Sequence, residues 1–151
     1  MGISQDIIGR EYPADGVYVV SREKIREFAL ATYGPRPHPA HLDPAVAADL
    51  GYADVVAPPT FAVIPAQRSD ARLISDPAAG IDFDRVVHGE QSFVHHRPIV
   101  AGDVLKVTLH VDSVKEIAGN AMVTTRNEIV DEAGNPVSTV VSLLVVRGDD
   151  A

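Results

Sequence analysis

The chain has 151 residues, 46% of them hydrophobic, which is enough for one packed core and short for two, so a single domain over 1–151 is expected. Its net charge of −8 argues against nucleic acid and against charge-driven binding to an anionic membrane. With no cysteine there is no disulfide, no thiolate nucleophile and no thiolate metal site.

The first residues, M-G-I-S-Q-D, lack the charged and apolar regions of a signal peptide, and no apolar run reaches the length of a membrane span. The expected location is the cytoplasm. Val17 to Val20 reads as a short strand after the Asp15-Gly16 turn. Ser21 is placed to cap a helix to about Thr32, with Ile25, Phe28, Ala29 and Thr32 as its buried stripe. Then comes a stiff polar loop, Y-G-P-R-P-H-P-A-H-L-D-P, opening a short helix capped by Asp43, begun by Pro44 and closed by Gly51. Such a loop, pinned to a helix, suits a site that must hold a side chain in place. After Pro58-Pro59 a helix from about Thr60 to Ile74 is expected, with Pro65 either kinking it or moving its start later.

The second half changes period. Phe83 to Val87 and Gln91 to Arg97 read as strand segments meeting near Gly89, at a bulge. Pro98 to Asp103 is a turn. Leu105, Val107, Leu109 and Val111 alternate with polar residues, as in a sheet with one wet face. Turns at Ala118-Gly119-Asn120 and Glu132 to Asn135 bracket a returning strand. Val137 to Val146 is almost wholly apolar, which predicts a strand covered on both faces. Helices first and strands together later give an α+β fold with an antiparallel sheet.

Two stretches carry a resemblance. H-P-A-H-L-D-P, His38 to Pro44, resembles the hydratase loop of MaoC-type enoyl-thioester hydratases and dehydratases, and H-R-P-I-V-A-G-D-V-L, His96 to Leu105, resembles their strand–turn–strand. R-E-K-I-R-E-F-A, L-G-Y, A-P-P-T-F and V-D-S-V add to the likeness, which runs from about Ile8 to the last strand. It is nearest to the short actinobacterial members that act as acyl-binding or accessory subunits of (3R)-hydroxyacyl-thioester dehydratases. The resemblance implies a hotdog fold, an antiparallel sheet wrapped around one long helix. It also implies pairing into a homodimer or a heterodimer with a catalytic subunit, and an acyl-CoA or acyl-carrier-protein substrate with no cofactor.

In that family a catalytic Asp precedes Asn-Pro-x-His, and water adds reversibly across the C2=C3 bond of an enoyl thioester. On this pattern His41 takes the catalytic His position, Pro39 the Pro and His38 the Asn. The Asp position falls on Arg36, a side chain that stays protonated and serves as no base near neutral pH. The dyad is therefore incomplete unless a partner chain or a distant acid such as Asp43 or Glu90 completes it. Pro58 and Pro59 stand where donors for the thioester oxygen are expected, leaving N–H groups only from Thr60 onward. His38, Thr60, Phe61, Gly89 and Arg97 are the implied substrate-binding positions. For His38 a purely structural role is the plainer reading, and for Arg36 a solvated cation.

His95 and His96 fall on opposite faces of a strand, so one at most faces a cleft. The six histidines form no H-x-x-x-H and no carboxylate cluster, so no metal site is expected. The expected activity is that of an acyl-binding dehydratase subunit, weak or inactive alone. Two other classes stay open: a hotdog thioesterase using Glu90 or Asp103, and a non-catalytic acyl-thioester binding module.

Overall fold

In the structure, a computed structural model, residues 2–148 are described. Among these residues are three α-helices and six strands, in the expected order from β2 onward, with β1 unanticipated: β1 (Glu11–Tyr12), β2 (Tyr18–Val19), α1 (Arg22–Tyr33), α2 (Pro44–Asp49), α3 (Val63–Ile74), β3 (Val86–His95), β4 (Val104–Ile117), β5 (Asn120–Val130) and β6 (Pro136–Val146). The sheet is antiparallel throughout, in the order β1-β4-β5-β6-β3, and β2 pairs with the start of β4. This is the hotdog arrangement that the resemblance implies. No described helix is long and apolar enough to cross a membrane.

Local chemistry explains most element ends. Ser21 caps α1 by accepting from the Lys24 N–H, and Gly34 ends it at φ 76°. Ile25 and Ala29 are buried, whereas Thr32 is exposed and turns its hydroxyl back to the Phe28 carbonyl at 2.8 Å. Pro65 settles the start of α3. The helix begins at Val63, so the proline lies in the first turn, where its missing N–H costs nothing. Asp82 caps a 3₁₀ turn at Phe83–Arg85, so β3 starts only at Val86, and it ends at His95 rather than Arg97. The bulge is where expected, with register shifting between His88 and Glu90 around Gly89.

One face of α3 lies on the sheet. Phe61, Ala62 and Ala66 join Leu105, Ile129, Val137 and Val140 at one end, and Leu73 joins Leu109, Val111, Val123 and Leu144 at the other. Phe61 is fully buried, with Phe28 edge-on at 5.5 Å. On β6 the helix-facing Val140, Ser142, Leu144 and Val146 are buried. Val141, Leu143 and Val145 opposite are only half-covered, so the expectation of two covered faces holds for one. The strand is apolar on both sides, but the chain has only one layer of helix to cover it.

A polar cluster sits inside this apolar layer. Asp70 on α3 is 4% exposed and accepts from Thr125 Oγ1 at 2.9 Å and Asn127 Nδ2 at 3.0 Å, with Ser142 Oγ at 3.4 Å. No cation pairs with it among the described residues. Burial raises its pKa above the usual carboxylate value more than these donors lower it. The folded state therefore holds this proton more tightly than the unfolded chain does. Its contribution to stability is complete below the ordinary carboxyl pKa and is lost as pH rises through the folded value. Asp70→Asn keeps the acceptor for Thr125 and Asn127. It is expected to raise the melting temperature at neutral pH, with the gain over wild type shrinking as pH falls into the acidic range, as read by calorimetry across pH.

The β4–β5 turn offers a second test. Ala118 has φ 50° and is followed by Gly119 at φ 79°, a two-residue connection that needs positive φ at both positions. Ala118→Asn is expected to stabilise the domain by about 0.5–1 kcal/mol, read as a shift in the urea midpoint.

Candidate functional site

The polar loop is held to the sheet through one extended segment. After Gly34 the chain runs through Pro35, Arg36 and Pro37 into a 3₁₀ turn at Pro39–His41. His38 caps that turn, its Nδ1 accepting from the Ala40 N–H at 3.1 Å. Asp43 accepts from the Ala45 N–H at 2.8 Å and caps α2, with Pro44 at its first position. The Ala40 carbonyl accepts from the Val56 N–H at 3.1 Å, and Ala57 N–H donates to the Ile99 carbonyl at 2.8 Å. The loop, residues 55–57 and residues 99–101 thus form one bonded layer beside the entry to α3.

His41 sits in this layer, half-buried. Its Nδ1 lies 2.6 Å from the Val56 carbonyl oxygen, which only accepts, so Nδ1 carries the hydrogen and the neutral ring keeps its lone pair on Nε2. Tyr33 stacks on the ring at 5.7 Å and 20°, and His38 meets it edge-on at 6.3 Å. The imidazole is oriented as a base would be, but by a backbone carbonyl and not by an acid. Arg36 is exposed and forms no ion pair among the described residues. Asp43 is occupied as a helix cap, and Glu90 lies on exposed β3. Asp49 ends α2 and is exposed, and Asp54 is held by Arg22 through two 2.9 Å bonds, which keep its pKa below the usual range.

An apolar cavity of about 410 Å³ opens beside this layer, between Tyr52 and Val56–Pro59 on one side and His95–Ile99 on the other. The implied binding residues are spread around it. Thr60 follows the cavity's Pro59, is exposed, and its N–H has no protein partner among the described residues. Phe61 stands behind the wall as core. Gly89 lies at the edge-strand bulge, away from the cavity lining, where an added Cβ would come within 3.2 Å of the Leu143 carbonyl oxygen. Arg97 borders the cavity, but its guanidinium is gripped by Asp103 at 2.9 and 3.0 Å and lies 3.7 Å from Asp131. It clamps the Pro98–Asp103 turn. His95 and His96 divide as strand alternation requires: His95 meets Ser138 on the helix side of β6 at 3.0 Å, and His96 meets Thr139 on the other side at 3.3 Å. Tyr52 and Ile99, not singled out by sequence, complete the wall. Nothing local marks them, because they meet only through the bridge between Val56 and Val100. Among the described residues no group of histidines and carboxylates could hold a metal ion.

A hotdog sheet, a hydratase-type loop holding an imidazole, and an apolar cavity at the helix entry define a protein of the MaoC-like dehydratase class. The family model described as "FAS1-like, dehydratase domain region" matches residues 6–140, and the chain belongs to that family. Among curated relatives, a UPF0336 protein of Saccharopolyspora erythraea is 51% identical over 148 residues, covering 98% of this chain and 94% of that protein. Among solved structures, a MaoC-like dehydratase matches with TM-score 0.86 and 38% identity over 97% of this chain; this chain spans only 44% of that longer one. A chain of the C-terminally truncated HadBC (3R-hydroxyacyl-ACP dehydratase) complex from Mycobacterium tuberculosis matches with TM-score 0.82 and 35% identity, covering 93% of this chain and 97% of that one.

The Arg97 clamp is open to test. Arg97→Ala leaves Asp103, with a side chain only 14% exposed, without its cation. The expected cost is about 2 kcal/mol, measured by urea unfolding.

Proposed function

We propose that this chain is the acyl-binding subunit of a (3R)-hydroxyacyl-thioester dehydratase, working beside a MaoC-like partner that carries the complete Asp-His pair. The observation behind this is the His41 ring, fixed through Nδ1 to the Val56 carbonyl with no carboxylate at hand. Losing one member of such an acid–base unit costs about 10² to 10⁴ in rate. The cavity beside it still suits an apolar chain.

Two features support a partner. β3 is a ten-residue edge strand with no neighbour on its outer side among the described residues, and it exposes Val87 (48%) and Val94 (59%). The 35% identical HadBC chain belongs to a complex. A homodimer of the purified chain would use the same edge. Acyl-CoA and acyl-carrier-protein thioesters are the substrate class, and the cytoplasm is the location that goes with them.

The thioesterase alternative has less to work with. Glu90 borders a different surface, with Thr124 and Leu143, and Asp103 is engaged by Arg97 and by the Val100 N–H at 2.9 Å. A non-catalytic binding module shares the cavity argument and differs only in the partner.

Hydration of crotonyl-CoA and longer enoyl-CoA by the chain alone is expected to be at least about 10²-fold slower than by the chain with its catalytic partner. His41→Ala in this chain is expected to leave the complex within about twofold of wild type, the scale of a side chain outside the reacting pair. Rapid hydration by the lone chain, abolished by His41→Ala, overturns the proposal. Hydrolysis of saturated acyl-CoA without hydration establishes the thioesterase, and acyl binding that no partner converts to turnover establishes the module.

A further inference from the structure

We infer that a second cavity, of about 160 Å³, is a binding site for a small organic monocarboxylate whose head group is held by Arg68. It lies between residues 14–18, the middle of α3 and the start of β4, and shares no lining residue with the acyl cavity. Pro65, Leu105 and Val107 give it an apolar floor. Three of its lining side chains have hydrogens to give and no protein acceptor among the described residues: Tyr18, Arg68 and Ser69. Arg68 is exposed, with Cζ 4.8 Å over the Tyr18 ring, and its guanidinium forms no ion pair among those residues. Ser69 is 4% exposed, and its hydroxyl is buried without a partner. A buried hydroxyl is ordinarily paired, and in a helix the carbonyl four residues back is the usual partner.

The charges of the lining select a monoanion. Arg72 is already engaged: Nη1 donates to the Pro13 carbonyl at 2.6 Å, and Nε lies 3.2 Å from Asp15. Arg72 thus fixes the wall formed by residues 13–15 and balances the carboxylate at the rim. The Arg68 charge is left unanswered. One negative charge balances it, whereas a phosphate dianion leaves a charge over. A guanidinium presents paired N–H groups that match the two oxygens of a carboxylate. The apolar floor calls for more than an inorganic ion. An apolar cavity of about 150 Å³ holds benzene, so the ligand's body has about four to six carbons. Few polar groups converging over an apolar wall is the ordinary make-up of a small-molecule site.

The probe is sodium pentanoate, titrated at constant ionic strength into the isotope-labelled full chain and followed by amide chemical shifts. Saturable shifts are expected at Gly16, Val17 and Ser69, which line this cavity, and not at Tyr52, His96 and Ile99, which line the other. 1-Pentanol, which lacks the charge, and inorganic phosphate, which lacks the apolar body, are each expected to bind at least about tenfold more weakly. Arg68→Gln is expected to lower pentanoate affinity about tenfold, the scale of one charge-assisted hydrogen bond, with the rest of the spectrum unchanged. Arg68→Lys, which keeps the charge and loses the paired N–H groups, is expected to recover part of it. No saturable shift at these amides, phosphate or pentanol binding as tightly as pentanoate, or full affinity in Arg68→Gln overturns the assignment. Shifts confined to Tyr52, His96 and Ile99 also overturn it, because the carboxylate then occupies the acyl cavity.

Discussion

Residues 55–57 hold the site together. One side of this extended segment is bonded to the loop, through Val56 N–H to Ala40 and His41 Nδ1 to the Val56 carbonyl. The other side is bonded to the turn beyond β3, through Ala57 N–H to Ile99 and Ala101 N–H to the Val55 carbonyl at 3.0 Å. Three separate stretches become one surface mainly through backbone bonds, with the His41 side chain adding one. Because the backbone bonds do not depend on side-chain identity, the loop keeps its geometry with Arg36 where an acid would stand. The Val56 carbonyl gives the imidazole a direction and a tautomer but no negative charge to stabilise a proton gained during reaction.

The same layer explains the economy of the cavity. Its walls are one strand-like segment, one turn and the first residues of the helix entry, all backed by the core cluster around Phe61 and Phe28. Phe61 contributes by stiffening the wall from behind. Arg97 contributes by locking the turn through Asp103, whose carboxylate also accepts from the Val100 N–H. Both positions matter to the site while contributing no free group to it.

Inside the fold, the uncompensated Asp70 carboxylate lies between α3 and the sheet. Thr125, Asn127 and Ser142 satisfy it, and Ser142 continues through Gln91 Nε2 at 2.9 Å toward the edge strand, where His88 meets Gln91 at 2.9 Å. A polar thread through an apolar interface fixes the rotation of the helix over the sheet, because any other rotation buries these groups unpaired. It therefore also fixes where the helix entry stands relative to the cavity.

Local rules in the sequence determined a good deal. The alternation in Leu105 to Val111, the turns at Ala118 and Asn135, the caps at Ser21 and Asp43 and the bulge at Gly89 each follow from chemistry within a few residues, and each stands where expected. That the loop from Tyr33 to Leu42 carries no carboxylate is read from its own residues, whereas where Asp43, Asp54 and Glu90 stand relative to the imidazole depended on the fold. Other features depended on which elements meet. Phe61 became core, Arg97 a clamp and Thr32 an exposed residue because helix orientation and the Asp103 contact are long-range facts. The apolar outer face of β6 stayed half-open because the fold has one helical layer. Sequence spacing recorded His95 as one of two histidines on a strand; only the packing of β3 against β6 gave it a buried hydroxyl on one nitrogen and a cavity beside the ring.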